Sequence, residues 1–509
     1  MSNTEESHTS AGLVYVLLVL IAYPIFRALH NVFFHPLSDI PGPRAWSASR
    51  LPFIWSLLRG TLVHDVERLH WKYGPVVRIA PDEVTFADAD AYPDIFQARS
   101  DSKPFLKDPV WWETQPGLPD TILSAINPEK HARIRRILAP GFTLRALRDQ
   151  EPILHQYVNL LVDRLRESAL ESSEAQVDLV PWLNFTTFDI IGDLGFGDSF
   201  NCLQHSRYHP WTAMLFSTVK AAAWVASARY YPLIEFILLK CIPPSLMKTQ
   251  TDHYQRISNK VDRRLNFEME RPDVLSYVIK KREEEAVPIG EINSTFMILT
   301  TAGSETTATL LSGIMNYLVN CPDKLNTLKH EVRHNFNTSD DITLEALKDL
   351  PYLNAVINEG FRMCPPVPWV LPRRVPHGGS TVCGTWLPGG TAVSVQAYTM
   401  NRSPSYFHCA SSFIPERWLP EVHGNPESPF SKDSRGVIQP FSLGPRSCLG
   451  QNLAMAELRL IISKLVWAFD FEAIDGNVLK WDDLRVFLLI EKKPIQVKIK
   501  PRSEVPAEA

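Results

Sequence analysis

Cys448 stands in Phe441-Ser-Leu-Gly444-Pro-Arg446-Ser-Cys448-Leu-Gly450, a loop that runs straight into the apolar stretch Gln451-Asn-Leu-Ala-Met-Ala-Glu-Leu. A helix that starts three residues after the cysteine favours an anion at that spot, as does Arg446 two residues before it. Cys448 is therefore expected to be a thiolate. The flanking glycines let backbone pack where a side chain would clash. A thiolate held on such a loop is a strong axial ligand for haem iron. Most lone cysteines are buried structural residues, and Cys448 taken by itself does not decide between the two.

Three further groupings carry chemistry. Within Gly290 to Asn320, which reads as one long helix, stands Ala302-Gly303-Ser304-Glu305-Thr306-Thr307, an odd run for a buried helix. The Thr306 hydroxyl is placed to bond back to the carbonyl of Ala302 and loosen the helix beside Gly303, leaving room for a diatomic ligand and water. A capped helix end would have a similar composition, but apolar residues continue on both sides. In His131-Ala-Arg133-Ile-Arg135-Arg136 the spacing sets His131 and Arg135 on one helix face. Glu359 and Arg362 lie three apart and can pair, followed downstream by Pro415-Glu416-Arg417-Trp418.

Phe-x-x-Gly-x-Arg-x-Cys-x-Gly, matched at every fixed position by Phe441 to Gly450, resembles the haem-binding signature of the cytochrome P-450 superfamily. The other groupings follow in that family's order. The resemblance implies haem ligated by Cys448, with Phe441, Arg446, Gly450 and Ala302 around it. Glu305 and Thr306 take the place of the family's acid–alcohol pair, which relays protons for the cleavage of dioxygen. His131, Arg135, Arg373 and Arg446 take those of propionate partners, Arg373 closing the strand-like Pro366-Val-Pro-Trp-Val-Leu-Pro-Arg373. Glu359, Arg362 and Arg417 match the buried Glu–Arg–Arg network, with Trp418 in place of a phenylalanine as a harmless apolar swap. Residues 482–489 would supply the last cavity loop, with Phe487 turned inward.

Composition agrees with a large globular enzyme. The 509 residues are 45% hydrophobic and 21% charged, with a net charge of −4 and no basic run, so nucleic acid is not an expected partner. Cys202, Cys241, Cys321, Cys364, Cys383, Cys409 and Cys448 are scattered without paired spacing, which argues for a reducing compartment and against a disulfide or zinc framework. The uncharged stretch Ala11 to Phe26 spans about 16 residues, short of the ~20 of a full span, and extends apolar contact through Leu29 and Phe33-Phe34. No basic segment precedes it, Arg27 follows it, and no signal-peptidase site is evident, so an uncleaved anchor (about 11–29) is expected with the body on the cytosolic side. His35 to Pro43 is a proline-stiffened hinge. Val76 to Ala80 and Glu83 to Ala87 read as a hairpin. Residues 103–128 form an aromatic, proline-rich loop with Trp111 and Trp112, by resemblance a lid over the haem. Residues 150–285 are mostly helical: Leu154 to Leu165, Val180 to Ile191, Ser258 to Glu270, and a roof of His209 to Leu246 rich in aromatics, most of them explained by core packing.

The expected fold is thus mainly α with a small β region. An anchor at 1–30 and a hinge at 31–45 precede a haem domain at 46–500, and a tail follows at 501–509. The expected activity is NADPH-dependent monooxygenation of an apolar polyketide or terpenoid by hydroxylation or epoxidation, most like fungal members that tailor secondary metabolites. Electrons would come from a separate NADPH-cytochrome reductase, since no flavin or nicotinamide fingerprint is present. Membrane lipid and dioxygen complete the partners, and the endoplasmic reticulum is the expected location. Two alternatives remain: an oxygen-independent haem-thiolate isomerase or dehydratase, and a non-catalytic haem or lipid binder. An intact Glu305-Thr306 pair argues against both.

Overall fold

The computed structural model of the chain describes residues 18, 20–97, 103–114, 118–171, 175–208, 210–241, 244–266, 271–285, 287–474 and 478–502. These fall into two compact units, one reaching to Leu106 and including Trp369–Thr399, the other holding Lys107–Pro368 and everything from Met400 on.

The first unit carries the β region. Strands β1 (Val76–Ala80) and β2 (Glu83–Phe86) form the expected hairpin, Val77 opposite Thr85. Later strands β3 (Val370–Arg374) and β4 (Ala392–Val395) extend the sheet in the order β1-β2-β4-β3, with β4 parallel to β2 and antiparallel to β3. All four residues of β2 and of β4 are buried, which their β-branched and aromatic side chains favour. The hinge has a steric cause: a Cβ on Gly42 would stand 2.3 Å from the Arg78 carbonyl oxygen. Residues 11–17 and 19 of the expected anchor lie outside the described residues. Among those described, no helix is long and apolar enough to cross a membrane. Leu20, Ile21, Ile25, Phe26, Leu29, Phe33 and Phe34 are exposed.

The second unit is helical: α1 (Pro128–Leu138), α2 (Leu144–Glu171), α3 (Leu179–Phe196), α4 (Pro210–Arg229), α5 (Pro232–Lys240), α6 (Ile289–Asn320), α7 (Pro351–Met363) and α8 (Gln451–Ala468) are the helices that matter for the site. A short hairpin of β5 (Val486–Phe487) and β6 (Leu489–Ile490) turns at Leu488, whose φ is +81°. The helix expected to reach Glu270 stops at Leu265, and residues 267–270 lie outside the described set. The expected loop at 103–128 contains one helical turn, Pro109–Trp112, whose Trp111 Nε1 donates to Tyr230 Oη at 3.0 Å; Pro116 is not described. In the roof the side chains of Trp211 and Phe216 are likewise outside the description.

Helix α6 is buried along most of its length, and glycines set how closely it is crossed. A Cβ on Gly313 would meet the Cys364 sulfur at 2.4 Å, and one on Gly360 of α7 would meet Ile314 Cγ1 at 2.4 Å. Each helix thus supplies a gap for a side chain of the other's neighbourhood, and the crossing cannot widen without opening voids. Gly360→Ala should lower unfolding stability by about 1–3 kcal/mol through overpacking, outweighing the gain of up to ~1 kcal/mol in helix propensity. Pairing it with Ile314→Ala should cost less than the two single changes added together, as read by chemical denaturation.

Candidate functional site

The loop from Phe441 to Gly450 is closed by its own backbone. The Cys448 N–H donates to the Phe441 carbonyl at 2.8 Å, around a single helical turn Gly444–Arg446 that begins with Gly444 at φ +73°, a conformation only glycine adopts cheaply. The Phe441 ring packs edge-on to Phe361 of α7, at 5.2 Å between centroids. Phe441 therefore anchors the loop from behind as well as closing it. Gly450 caps α8, and a Cβ there would meet no protein atom within 4 Å.

The electrostatics differ from expectation. Cys448 keeps accessible surface, yet the protein packed around its sulfur strips it of water. That loss of solvation pushes the thiol up, against the opposing pull of the Gly450 N–H and the Arg135 guanidinium. Arg446 is not the balancing charge. It donates from Nη1 to the Ala125 carbonyl at 2.6 Å and from Nη2 to that of Ile126 at 2.8 Å, pinning the turn ahead of α1. Arg135 of α1 takes the place beside the cysteine and donates to the Ser447 carbonyl at 2.6 Å. His131 is buried one turn earlier, while Arg136 is exposed. The chain alone thus favours a thiol, and a cation at the sulfur would reverse that. The donor set fits haem: one sulfur on a stiff loop, an arginine beside it, and an unobstructed glycine two residues on.

On α6 the Thr306 hydroxyl donates to the Ala302 carbonyl at 2.6 Å, as the sequence predicts. Ala302 is exposed and Thr306 half-buried, so this edge of the turn is open. Gly303 does something other than make room for a small ligand. A Cβ there would meet Ile191 Cδ1 and Cγ1 at 3.0 Å, so the glycine serves the close approach of α3. Glu305 is buried and accepts from Lys492 Nζ at 2.8 Å. Lys492 also donates to Asn184 Oδ1 at 2.7 Å.

Comparison with known proteins decides what this arrangement is. The family model for cytochrome P-450 matches residues 44–499. The chain belongs to the cytochrome P-450 family. It is 43% identical over 497 residues to cytochrome P-450 monooxygenase lcsI of Purpureocillium lilacinum, covering 97% of this chain and 94% of that protein. An averantin hydroxylase of Dothistroma septosporum is 39% identical (95% and 90% covered), and a trichothecene C-15 hydroxylase of Fusarium sporotrichioides is 38% identical (95% and 96% covered). This P-450 is a haem-thiolate monooxygenase; an oxygen-independent isomerase and a non-catalytic binder are not favoured by such relatives.

The network behind the cysteine loop of this P-450 is larger than its sequence implied. Glu359 accepts from Arg362 at 2.6 and 2.9 Å and from Arg417 Nε at 3.3 Å, all three fully buried. Asp433 joins as a fourth charge, paired with Arg417. Trp418 is no mere apolar substitute, because its Nε1 donates to Glu359 Oε2 at 2.8 Å. Burial alone would push the Glu359 carboxyl up, but Arg362, Arg417 and the Ile414 N–H bring it below the usual range. In the first unit, Arg373 lies in β3 with its guanidinium 5.2 Å from the Phe96 ring, and Arg374 is bonded to Asp82 and the Gly390 carbonyl.

Sequence reasoning passed over Lys492, Asn184, Asp433 and Glu457. Glu457, nine residues after Cys448, offered the one readable signal: a lone acid inside an apolar helix. Buried on α8 against Thr307 of α6, it is pushed up to about 8 by loss of water, with the Thr307 hydroxyl pulling weakly the other way. Between pH ~4.5 and ~8 the folded chain therefore holds one proton more than the unfolded chain. Stability from this group is full below the lower value and is lost as pH rises, by up to about 1.4 kcal/mol per pH unit. Glu457→Gln removes that loss. The stability of the variant relative to the parent should climb from pH 5 to 8 and then level, as followed by urea unfolding; a difference flat in pH would refute the assignment.

Proposed function

We propose that this P-450 hydroxylates or epoxidises an apolar polyketide or terpenoid, fed with electrons by a separate NADPH-cytochrome reductase at the cytosolic face of a membrane, expected to be the endoplasmic reticulum. One observation carries the catalytic reading: Cys448 is fixed by backbone closure onto Phe441, with the Gly450 N–H on its sulfur and the Arg135 guanidinium, bonded to Ser447, near enough for its charge to act there. When bound, the haem supplies reductive activation of dioxygen and transfer of one oxygen atom to substrate.

The chain's own residues then divide the work. Cys448 would ligate the iron, and Arg135 and His131 from α1 would meet propionates; the resemblance implies the same role for Arg373. The commitment of Arg374 to Asp82 supports choosing Arg373. Arg446 would contribute chiefly by holding the Ala125–Ile126 turn that leads into α1. Thr306, on the open edge of α6, would position a proton donor, with Glu305 behind it as the acid of the pair. A small-molecule substrate is supported by the two hydroxylases above, one named for averantin and the other for a trichothecene. Phe487, buried at the β5–β6 hairpin, suits an apolar cavity wall.

The membrane reading rests on two features. Helix α5 exposes Leu233, Ile234, Phe236, Ile237, Leu238 and Leu239, an apolar surface that water does not reward. The exposed apolar residues from Leu20 to Phe34 precede the hinge.

Two measurements test the catalytic assignment. The reduced, carbon monoxide-bound protein should show the absorption of thiolate-ligated haem and lose it in Cys448→Ser; an imidazole-type band in the parent would overturn the ligand. With reductase and NADPH, Thr306→Ala should keep that spectrum but divert reducing equivalents to peroxide, about tenfold or more in the peroxide-to-product ratio. Unchanged coupling would remove Thr306 from the relay.

A further inference from the structure

Glu305 is held in place by a residue that lies far away in the chain. Lys492 Nζ sits 2.8 Å from Glu305 Oε2, and the two side chains are 1% and 4% exposed. An ion pair so far from water persists only where its remaining donors and acceptors are satisfied. Asn184 of α3 meets part of that need through its Oδ1, and its Nδ2 donates in turn to Tyr208 Oη at 3.1 Å.

The preceding residue, Glu491, does the opposite job. Adjacent in the chain, the two residues engage different helices. Where Lys492 turns to α6, the Glu491 carboxylate pairs with Lys220 of α4 and accepts from Arg485 Nε at 2.7 Å. Lys220 also lies over the Phe487 ring, 5.2 Å from its centroid, so α4 and the β5–β6 hairpin are tied at the same point. One rigid peptide unit therefore separates the tie to α4 from the tie to Glu305.

We propose that the Glu491-Lys492 dipeptide is a positioning element that couples helix α4 to Glu305. With α4 seated on Glu491, Lys492 grips the carboxylate away from the open edge of the turn; a shift of α4 slackens that grip and lets Glu305 turn toward Thr306. The proposal rests on the relay reading of Glu305 and Thr306. It adds a condition: the acid becomes available only according to where α4 lies. Lys492 and Glu491 act through Glu305 and touch no reacting atom in this scheme.

The test uses the full-length, haem-loaded protein and begins with Lys220→Met, a partly exposed position whose loss should not prevent folding. Hydrogen–deuterium exchange of the backbone spanning residues 299–308 should rise several-fold in Lys220→Met, though the named contacts of Lys220 are to Glu491 and Phe487. Lys492→Met should produce a larger rise and Lys492→Arg should restore most of the parent's protection. Exchange unchanged in Lys220→Met would overturn the coupling. With reductase and NADPH, Glu305→Gln should raise peroxide release per NADPH. If Glu305→Gln leaves it unaltered, the relay reading fails and the tie is structural only. If Glu305→Gln raises it while Lys220→Met alters neither exchange nor peroxide, the relay stands and the link to α4 falls.

Discussion

The segment that delivers Cys448 depends on a buried balance of two guanidiniums and two carboxylates. From Arg402 to Gly450 the described chain contains only isolated helical turns, so its peptide groups have no ladder to satisfy them. Arg362 supplies the missing partners, donating to the carbonyls of Asn401 at 2.8 Å, Ala410 at 2.5 Å and Ser412 at 2.7 Å. Arg417 donates to the carbonyl of His408 at 3.0 Å. Four charges that sum to zero thus do for an irregular stretch what a sheet does for a strand. The cost of desolvating them is offset because almost every donor finds an oxygen. Removing one member would leave both an uncompensated charge and several orphaned carbonyls.

Three ionisable groups near the site, two of them buried and the third stripped of water at its sulfur, show how neighbours decide charge when solvent is removed. Glu359 has two arginines and stays ionised. Glu457 has only a threonine hydroxyl and stays protonated to about pH 8. Cys448 lies between them: one arginine and one backbone N–H oppose burial without cancelling it.

What the sequence revealed was local. The Cys448 loop, the Thr306-to-Ala302 bond and the Glu359–Arg362 pair each join residues within ten positions of one another, where geometry follows from spacing. What it hid was distant. Lys492 meets Glu305 across 187 residues, Arg446 meets Ala125 across 321, and Trp418 meets Glu359 across 59. Each of these looked like an ordinary charge or aromatic, because nothing in a residue's own neighbourhood records which partner the fold will bring. Gly303 illustrates the same limit. Its presence in an unusual run was visible, but that it faces Ile191 required α3 in place.

The turn from Ala302 to Thr307 gathers these contacts because successive helical residues point about 100° apart. Gly303 faces α3, Glu305 faces Lys492, Thr307 faces Glu457 on α8, and Thr306 keeps to the open edge. A helix turn engaged on three sides cannot rotate to adapt its fourth. The hydroxyl of Thr306 is therefore placed by the partners of its neighbours, and its own bond to Ala302 needs only to set a rotamer. Helix α8 carries the cysteine loop at its N-terminus and Glu457 two turns on, so the contact between Glu457 and Thr307 also fixes the thiol-bearing loop against the turn that bears Thr306. Cys448 and Thr306 are thereby referred to one pair of helices.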